Sequence, residues 1–157
     1  MVTDLIADIN YPFDTELLLM HFDTVCCNRV KYEDHRGVIK DWNIIRVNHF
    51  KYSKKICNDL GVTGEPRFYE LLPHTVLPLH KDHNTQCSIN VLLSGGDAPI
   101  CFEGDKYYKY KSCLLNTQAD HGVTNGDQPR ILFKISIKDK SYDHVKKILD
   151  SHGLLSN

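Results

Sequence analysis

The sequence of 157 residues lacks several features that would assign it to a specialised class of protein. No stretch approaches the roughly 20 apolar residues that a membrane-spanning helix needs. The first eight residues contain no basic segment of the kind that begins a secretory signal. Lys and Arg number 19 against 20 Asp and Glu, so no charge excess is available to attract nucleic acid or an anionic membrane. We therefore expect a soluble, cytoplasmic protein without a nucleic-acid or membrane partner.

The six cysteines also lack a recognised pattern. They form no C-x-x-C pair, and the adjacent Cys26 and Cys27 do not have the spacing usual for structural zinc. We predict that the thiols are reduced and that most of them pack as small apolar groups.

Internal repeats and linkers rich in Pro, Gly or Ser are absent as well. Because the length is that of one ordinary domain, we predict a single domain over residues 1–157. Its predicted parts are supporting helices and a strand over about 1–64, a β core over about 65–138, and a C-terminal helix over about 141–152.

The residues that are present predict helices at both ends of the chain and one early strand. Capping and stop residues predict a helix after Asp14 through Leu17 to Phe22, a short helix capped by Ser53 and ending at Gly61, and a helix capped by Ser141 and ending at Gly153. The segment Trp42–Phe50 has the composition of a strand.

From Arg67 onward the pattern changes to short β-like runs separated by turn residues. The runs are Arg67–Leu72, Thr75–His80, Cys87–Leu93, Pro99–Glu103, Lys106–Lys111, Ser112–Thr117 and Arg130–Ile137. Gly95-Gly96-Asp97 and Gly104-Asp105 provide the positive-φ residues that tight reversals need. Short strands without intervening helices favour a sandwich or barrel, so we predict a mainly β (α+β) fold.

Candidate metal ligands stand at the ends of two of these runs. His80 and Asp82 are two residues apart, and side chains at that spacing point to one face of a strand. A third ligand must come from elsewhere in the chain, and His121, at the end of a later predicted strand, is the best candidate. Two imidazoles and one carboxylate on one side of an ion are the donor set of non-haem Fe(II) sites.

Arg130 opens the last predicted strand, nine residues after His121. Alternation puts Arg130, Leu132, Lys134 and Ser136 on one face of that strand. A guanidinium group stays charged and offers two parallel donors, which suits the recognition of a carboxylate in a partly dry cavity.

The order H-x-D, then a distal His, then an Arg about one strand later resembles the superfamily of 2-oxoglutarate- and Fe(II)-dependent oxygenases. The run Arg67-Phe-Tyr-Glu-Leu-Leu-Pro-His-Thr-Val-Leu-Pro-Leu-His80 is similar to the approach to the first metal ligand in the aspartyl/asparaginyl β-hydroxylase and prolyl hydroxylase branches. The resemblance covers residues 65 to 138. It departs from the β-hydroxylase pattern at His74, where that branch usually has a turn glycine.

The resemblance implies a double-stranded β-helix (jelly-roll, cupin-like) core with flanking helices at both ends. It implies that His80, Asp82 and His121 bind Fe(II) as the catalytic centre. Arg130 would bind the distal carboxylate of the cosubstrate 2-oxoglutarate, with Tyr69 and Asn90 as further candidates for hydrogen bonds to it. The implied reaction uses dioxygen to hydroxylate an amino-acid side chain, free or in a peptide, while 2-oxoglutarate is converted to succinate and CO2.

Two alternatives remain open from the residues alone. The first is a cupin-type metalloenzyme that does not use 2-oxoglutarate, and in such a site His83 could replace Asp82. At three residues from His80, however, His83 should point to the opposite face, so we expect it to be exposed. The second alternative is a non-catalytic β-barrel that binds a sugar, peptide or protein.

Overall fold

The computed structural model describes residues 1–47 and 50–156, in which two antiparallel β-sheets dominate. The seven-stranded sheet has the order β1 (Ile6–Asp8), β9 (Ser112–Leu115), β6 (Cys87–Ser94), β11 (Arg130–Ile137), β4 (Glu65–Leu71), β3 (Ile39–Arg46) and β2 (Val30–Glu33). The four-stranded sheet has the order β5 (Val76–His80), β10 (His121–Thr124), β7 (Ile100–Phe102) and β8 (Lys106–Tyr108).

The chain passes back and forth between the two sheets from β4 onward. β4, β6, β9 and β11 lie in the larger sheet, whereas β5, β7, β8 and β10 lie in the smaller one. This alternation wraps the strands into a double-stranded β-helix, or jelly roll. The predicted fold class, mainly β with this core, is confirmed.

Residue alternation along the central strands gives the larger sheet two different faces. On β11, Phe133, Ile135 and Ile137 are fully buried on the outer face, where Phe133 packs against Phe68 of β4. Leu18 of helix α1 (Thr15–Val25), Ile56 of α2 (Lys51–Leu60) and Val145 of α3 (Tyr142–Ser151) belong to the same hydrophobic cluster. Burying each of these apolar side chains contributes about 1.5–3 kcal/mol, which fixes the sheet against its helices. The inner face is left free to form a site between the sheets.

Capping groups begin two of the three helices as predicted. Asp14 Oδ1 accepts the Leu17 N–H at 3.0 Å and begins α1, and Ser141 Oγ accepts the His144 N–H at 3.2 Å and begins α3. The prediction that Ser53 caps α2 is wrong, because that helix begins at Lys51. Ser53 lies in its first turn and donates its hydroxyl back to the Phe50 carbonyl at 2.7 Å. The predicted end of α2 is confirmed, since Gly61 closes it with a φ of 71°.

Several strands differ in extent from the sequence prediction. The strand predicted over Trp42–Phe50 is β3, which begins and ends earlier; Asn48 and His49 lie outside the described residues. The run Lys106–Lys111 pairs only as far as Tyr108, because the buried Tyr110 turns inward. His121 begins the unpredicted strand β10 and does not end a predicted one, since a turn separates it from β9.

The turns show why particular residues are needed at sharp reversals. Gly95 and Gly104 adopt φ values of 75° and 82°, as predicted. His74 adopts the same left-handed region with a φ of 62°, and its N–H donates to the Gly126 carbonyl at 2.9 Å. A histidine therefore occupies the left-handed turn position at which the β-hydroxylase pattern usually has a glycine.

All six cysteines carry free thiols. Within residues 1–47 and 50–156, every helix is too short or too polar to cross a bilayer.

Candidate metal centre

His80, Asp82 and His121 come together at one end of the smaller sheet. His80 and His121 are paired across β5 and β10, and their ring centroids are 4.5 Å apart. Asp82 Oδ1 lies 3.1 Å from His80 Nε2 and 3.5 Å from His121 Nε2. One ligand atom from each residue lies within 4.8 Å of the other two, so these residues form a three-residue cluster.

Backbone carbonyls fix which ring nitrogen of each histidine faces the cluster. His80 Nδ1 lies 2.8 Å from the Pro78 carbonyl, and His121 Nδ1 lies 2.8 Å from the Ala119 carbonyl. A carbonyl oxygen only accepts, so both Nδ1 atoms carry the proton. When the imidazole is neutral, a proton on Nδ1 leaves the lone pair of Nε2 directed toward Asp82, which is the tautomer that metal-binding histidines commonly adopt.

This arrangement places three electron-rich atoms opposite one another. Two imidazole lone pairs aimed at a carboxylate oxygen are repulsive unless a positive charge lies between them. Two neutral imidazoles and one carboxylate are the donor set that suits non-haem Fe(II) and leaves coordination positions open. The residues present therefore fit a divalent cation such as Fe(II).

The segment of residues 117–121 positions both Asp82 and His121. The Thr117 carbonyl accepts the Asp82 N–H at 3.0 Å, and Gln118 Nε2 donates to the carbonyls of Asp82 and Thr85 at 3.1 and 2.6 Å. The same segment supplies the Ala119 carbonyl that orients His121. One short segment thus positions the loop of Asp82 relative to β10.

Close approach of β5 and β10 depends on the glycine beside His121. A Cβ atom on Gly122 would lie 2.5 Å from the Leu77 carbonyl oxygen, a distance that backbone atoms cannot tolerate. The glycine therefore permits the strand separation at which His80 and His121 are paired.

Lys134 of β11 provides a buried counter-charge for the cluster. Its Nζ donates to Asp82 Oδ2 at 2.6 Å, and the two side chains are only 12% and 13% exposed. The ammonium also lies 5.2 Å from the ring centroid of Tyr69. One carboxylate oxygen of Asp82 is thus held by Lys134, while the other faces the two imidazoles.

The charges of this pair shift both pKa values. Burial alone would raise the pKa of Asp82, but the Lys134 ammonium holds that pKa well below its ordinary value. Burial alone would lower the pKa of Lys134, but the Asp82 carboxylate raises it above its ordinary value. Both groups are therefore charged at neutral pH.

A cavity of about 380 Å³ between the sheets connects the cluster with the other predicted site residues. Its lining includes Arg130, Tyr69 and Asn90. Ligand pockets usually measure about 300–1,000 Å³, so this cavity suits small molecules. The structure thus brings all six predicted site residues to one place, and their individual roles stay predictions.

Arg130 is held firmly at the wall of the cavity. Only 2% of the residue is exposed, and its Nη1 donates to the carbonyls of Ala98 at 2.7 Å and Gly95 at 3.3 Å. Its Nη2 donates to the Tyr110 hydroxyl at 3.4 Å. A Cβ atom on Gly95 would lie 2.8 Å from the Arg130 Cα, so the Gly95 turn leaves just enough room for the arginine.

Asn90 and Tyr69 occupy different surroundings within the cavity. Asn90 is buried, accepts the Ser88 hydroxyl at 2.8 Å and donates to the Tyr110 hydroxyl at 3.4 Å. Tyr69 is half-buried, with its ring beneath the Lys134 ammonium. Asn90 is therefore linked to Arg130 through Tyr110, whereas Tyr69 contacts Lys134, the residue that holds Asp82.

His83 lines the cavity and is exposed, as predicted. Its ring stacks on His35, which lies in the turn between β2 and β3, with ring centroids 4.0 Å apart. His83 is not a member of the three-residue cluster found among the described residues. The stack connects the β2–β3 hairpin to the loop that carries Asp82.

Sequence reasoning assigned no role to Lys134 or Tyr110. Alternation had already placed Lys134 on the same face as Arg130, and that was a usable signal. Tyr110 gave no such signal, because it lies in the irregular segment between β8 and β9 and meets Arg130 only in the folded chain.

Comparison with known proteins supports the fold. No protein-family model matches the sequence, and no curated protein matches it. A viral collagen prolyl hydroxylase from Paramecium bursaria Chlorella virus-1 is similar in structure, with a TM-score of 0.63 and 12% identity over 88% of this chain and 97% of that chain. A Pseudomonas putida prolyl-4-hydroxylase gives a TM-score of 0.60 and 13% identity over 86% of this chain and 92% of that chain. A cupin-2 domain from Rhodospirillum rubrum gives a TM-score of 0.45 and 16% identity over 71% of each chain. The first two similarities show that this chain shares the fold of those hydroxylases.

Proposed function

We propose that this protein is an Fe(II)- and 2-oxoglutarate-dependent oxygenase that hydroxylates an amino-acid side chain, free or in a peptide. The observation that carries the proposal is the convergence of two Nε2 lone pairs and one carboxylate oxygen at the edge of a small cavity. A buried arginine on the wall of the same cavity supports the requirement for a dicarboxylate cosubstrate.

His80, Asp82 and His121 would hold Fe(II) on one side and leave its other side toward the cavity. When bound, Fe(II) supplies the oxidising chemistry, in which dioxygen converts 2-oxoglutarate to succinate and CO2 and gives the substrate a hydroxyl group. The protein's task is to position the reactants and exclude water. Lys134 contributes by keeping Asp82 charged and by occupying Oδ2, which leaves Oδ1 for the ion.

Arg130 would bind the distal carboxylate of 2-oxoglutarate. Its contacts with Ala98, Gly95 and Tyr110 hold the guanidinium in one orientation before the ligand arrives, which reduces the entropy lost on binding. Asn90 and Tyr69 would extend the hydrogen-bonding surface along the cosubstrate.

The test is an anaerobic titration of the protein with Fe(II) and then with 2-oxoglutarate. Chelation of the keto acid by protein-bound iron should produce a weak visible charge-transfer band. His80→Ala or His121→Ala should abolish the band, because each removes a ligand. Arg130→Gln should raise the 2-oxoglutarate concentration needed by roughly 10- to 100-fold while leaving iron binding intact.

Two other results would contradict the proposal. Iron binding without any response to 2-oxoglutarate would favour a cupin-type metalloenzyme. Failure to bind iron at all would favour a non-catalytic binding module. If the band forms, a screen of amino acids and peptides for succinate release identifies the substrate.

A further inference from the structure

The charges around the cavity differ sharply from those of the whole chain. Seven Lys and Arg side chains but only three carboxylates line the cavity, an excess of four positive charges, whereas the chain has a net charge of −1. Fe(II) and the 2-oxoglutarate dianion would cancel one another, so the excess would persist in the loaded site. A cleft lined by one sign of charge focuses the electric field and concentrates ligands of the opposite sign.

Arg67 is the basic residue best placed to use this field near the metal centre. It lies on β4 and is paired across the sheet with Lys134, whose ammonium contacts Asp82. Arg130 is paired with Leu71, four residues further along β4. At about 3.3 Å per residue, the two arginine positions are roughly 13 Å apart along the strand. Arg67 is therefore separated from the 2-oxoglutarate anchor and lies at the metal end of the cavity.

Arg67 also has donor capacity that the protein does not use. Its Nη2 donates to Glu65 Oε1 at 2.6 Å, and its buried Nε finds no acceptor among residues 1–47 and 50–156. An N–H buried without an acceptor is costly, and a guanidinium can bind one carboxylate through two parallel donors. The Arg67 side chain is nevertheless 21% exposed, so a further carboxylate can approach the guanidinium away from the buried Nε.

Glu65 shows that a carboxylate fits against this guanidinium, and its own position is replaceable. Its side chain is 43% exposed, and its Oε2 accepts from Lys138 Nζ at 2.9 Å. Because Lys138 can retain Glu65, an incoming carboxylate can take over the contact with Arg67 without leaving Glu65 unpaired.

We propose that Arg67 binds a carboxylate of the substrate, so that the substrate is a free, carboxylate-bearing small molecule of amino-acid size. The inference rests on the proposed function for the reaction, but the binding group is independent of it. The cavity volume of about 380 Å³ favours a small free molecule over a peptide. The carbon to be oxidised would lie between Arg67 and the three-residue cluster.

The experiment uses Trp42, the single tryptophan, which lines the cavity and reports binding through its fluorescence. Protein loaded anaerobically with Fe(II) and saturating 2-oxoglutarate is titrated with matched acid and amide pairs. The pairs are L-aspartate with L-asparagine, L-glutamate with L-glutamine, and L-leucine with L-leucinamide. A blocked Gly-Asp-Gly peptide provides the peptide arm.

In the unmodified protein, the acid of at least one pair should bind about tenfold or more tightly than its amide. Arg67→Gln should reduce that preference to about twofold or less. Arg67→Lys keeps the positive charge but loses the two parallel donors of the guanidinium, so its preference should be intermediate. Arg46→Gln is the matched control, because Arg46 is paired with Arg67 across the sheet but is exposed and outside the cavity lining. It should leave the preference unchanged.

Equal affinity for acid and amide in every pair would overturn the proposal, as would a preference that survives in Arg67→Gln. Tighter binding of the blocked peptide than of the free acids would overturn the assignment to a free molecule. The charge-transfer band in the same samples tests the proposed function separately. If the band never forms, titration of the metal-free protein still decides whether Arg67 selects carboxylates.

Discussion

Replacing Lys134 with methionine should make the fold strongly dependent on bound metal. Lys134 Nζ and Asp82 Oδ2 are 2.6 Å apart, and neither side chain is more than 13% exposed. Methionine keeps much of the side-chain length but removes the ammonium, which leaves the Asp82 carboxylate buried without a counter-charge. Breaking a buried ion pair in this way costs about 3–5 kcal/mol.

The expected loss is large enough to measure by thermal unfolding of the metal-free protein. For a chain of this length, each kcal/mol shifts Tm by about 2–4 °C, so Lys134→Met should lower Tm by roughly 6–20 °C. Mn(II) or anaerobic Fe(II) should recover part of the loss, because a divalent ion bound to the three-residue cluster replaces the missing positive charge.

The matched control is the double variant Asp82→Asn/Lys134→Met, which removes both charges. If the cost arises from an unpaired carboxylate, the metal-free double variant should be more stable than Lys134→Met alone. A loss of unfolding free energy below about 1 kcal/mol in Lys134→Met would refute this reasoning. So would a loss in the double variant that equals the sum of the losses in Lys134→Met and Asp82→Asn measured singly.

Three further predictions concern pH, a strand contact and a helix cap. The lowered pKa of Asp82 means that its stabilising contribution is present above its unfolded pKa, about 3.9, and is lost as pH falls toward the folded value. The Tm of the metal-free protein should therefore be insensitive to Asp82 above about pH 4. In metal-free Lys134→Met, burial without a counter-charge raises the folded pKa of Asp82 above its unfolded value, so the Tm should instead rise as pH falls through that folded pKa. Gly122→Ala should cost about 1–3 kcal/mol in urea unfolding and weaken metal binding, because its Cβ would lie 2.5 Å from a backbone oxygen; Gly126→Ala, with open space around its Cβ, should do neither. Asp14→Ala should cost about 0.5–2 kcal/mol by loss of the α1 cap and leave metal affinity unchanged, and altered affinity would contradict this.

The central features of the fold could be predicted because they depend on local patterns. Alternation identifies the inner face of β11, and turn glycines mark the reversals between strands. The three-residue cluster could be anticipated from the H-x-D spacing and one distal histidine. The structure adds the separations of these side chains, which no sequence pattern determines.

The remaining features depend on contacts between distant segments. Nothing near Lys134 in the sequence indicates that its partner is Asp82, 52 residues away. Strand β10 was missed because it has only four residues and includes a glycine, so it has too little β propensity of its own. Its pairing with β5 and β7 supplies the stability that its composition lacks.

The connection between β9 and β10 determines how the candidate metal centre would tolerate mutation. Gln118 offers no ligand, yet it ties the backbone of Asp82 to the segment that leads into His121. Substitution of Gln118 would lower the affinity for a metal ion although all three candidate ligands are still present. Catalogues of inactive variants that consider only coordinating residues would overlook this position.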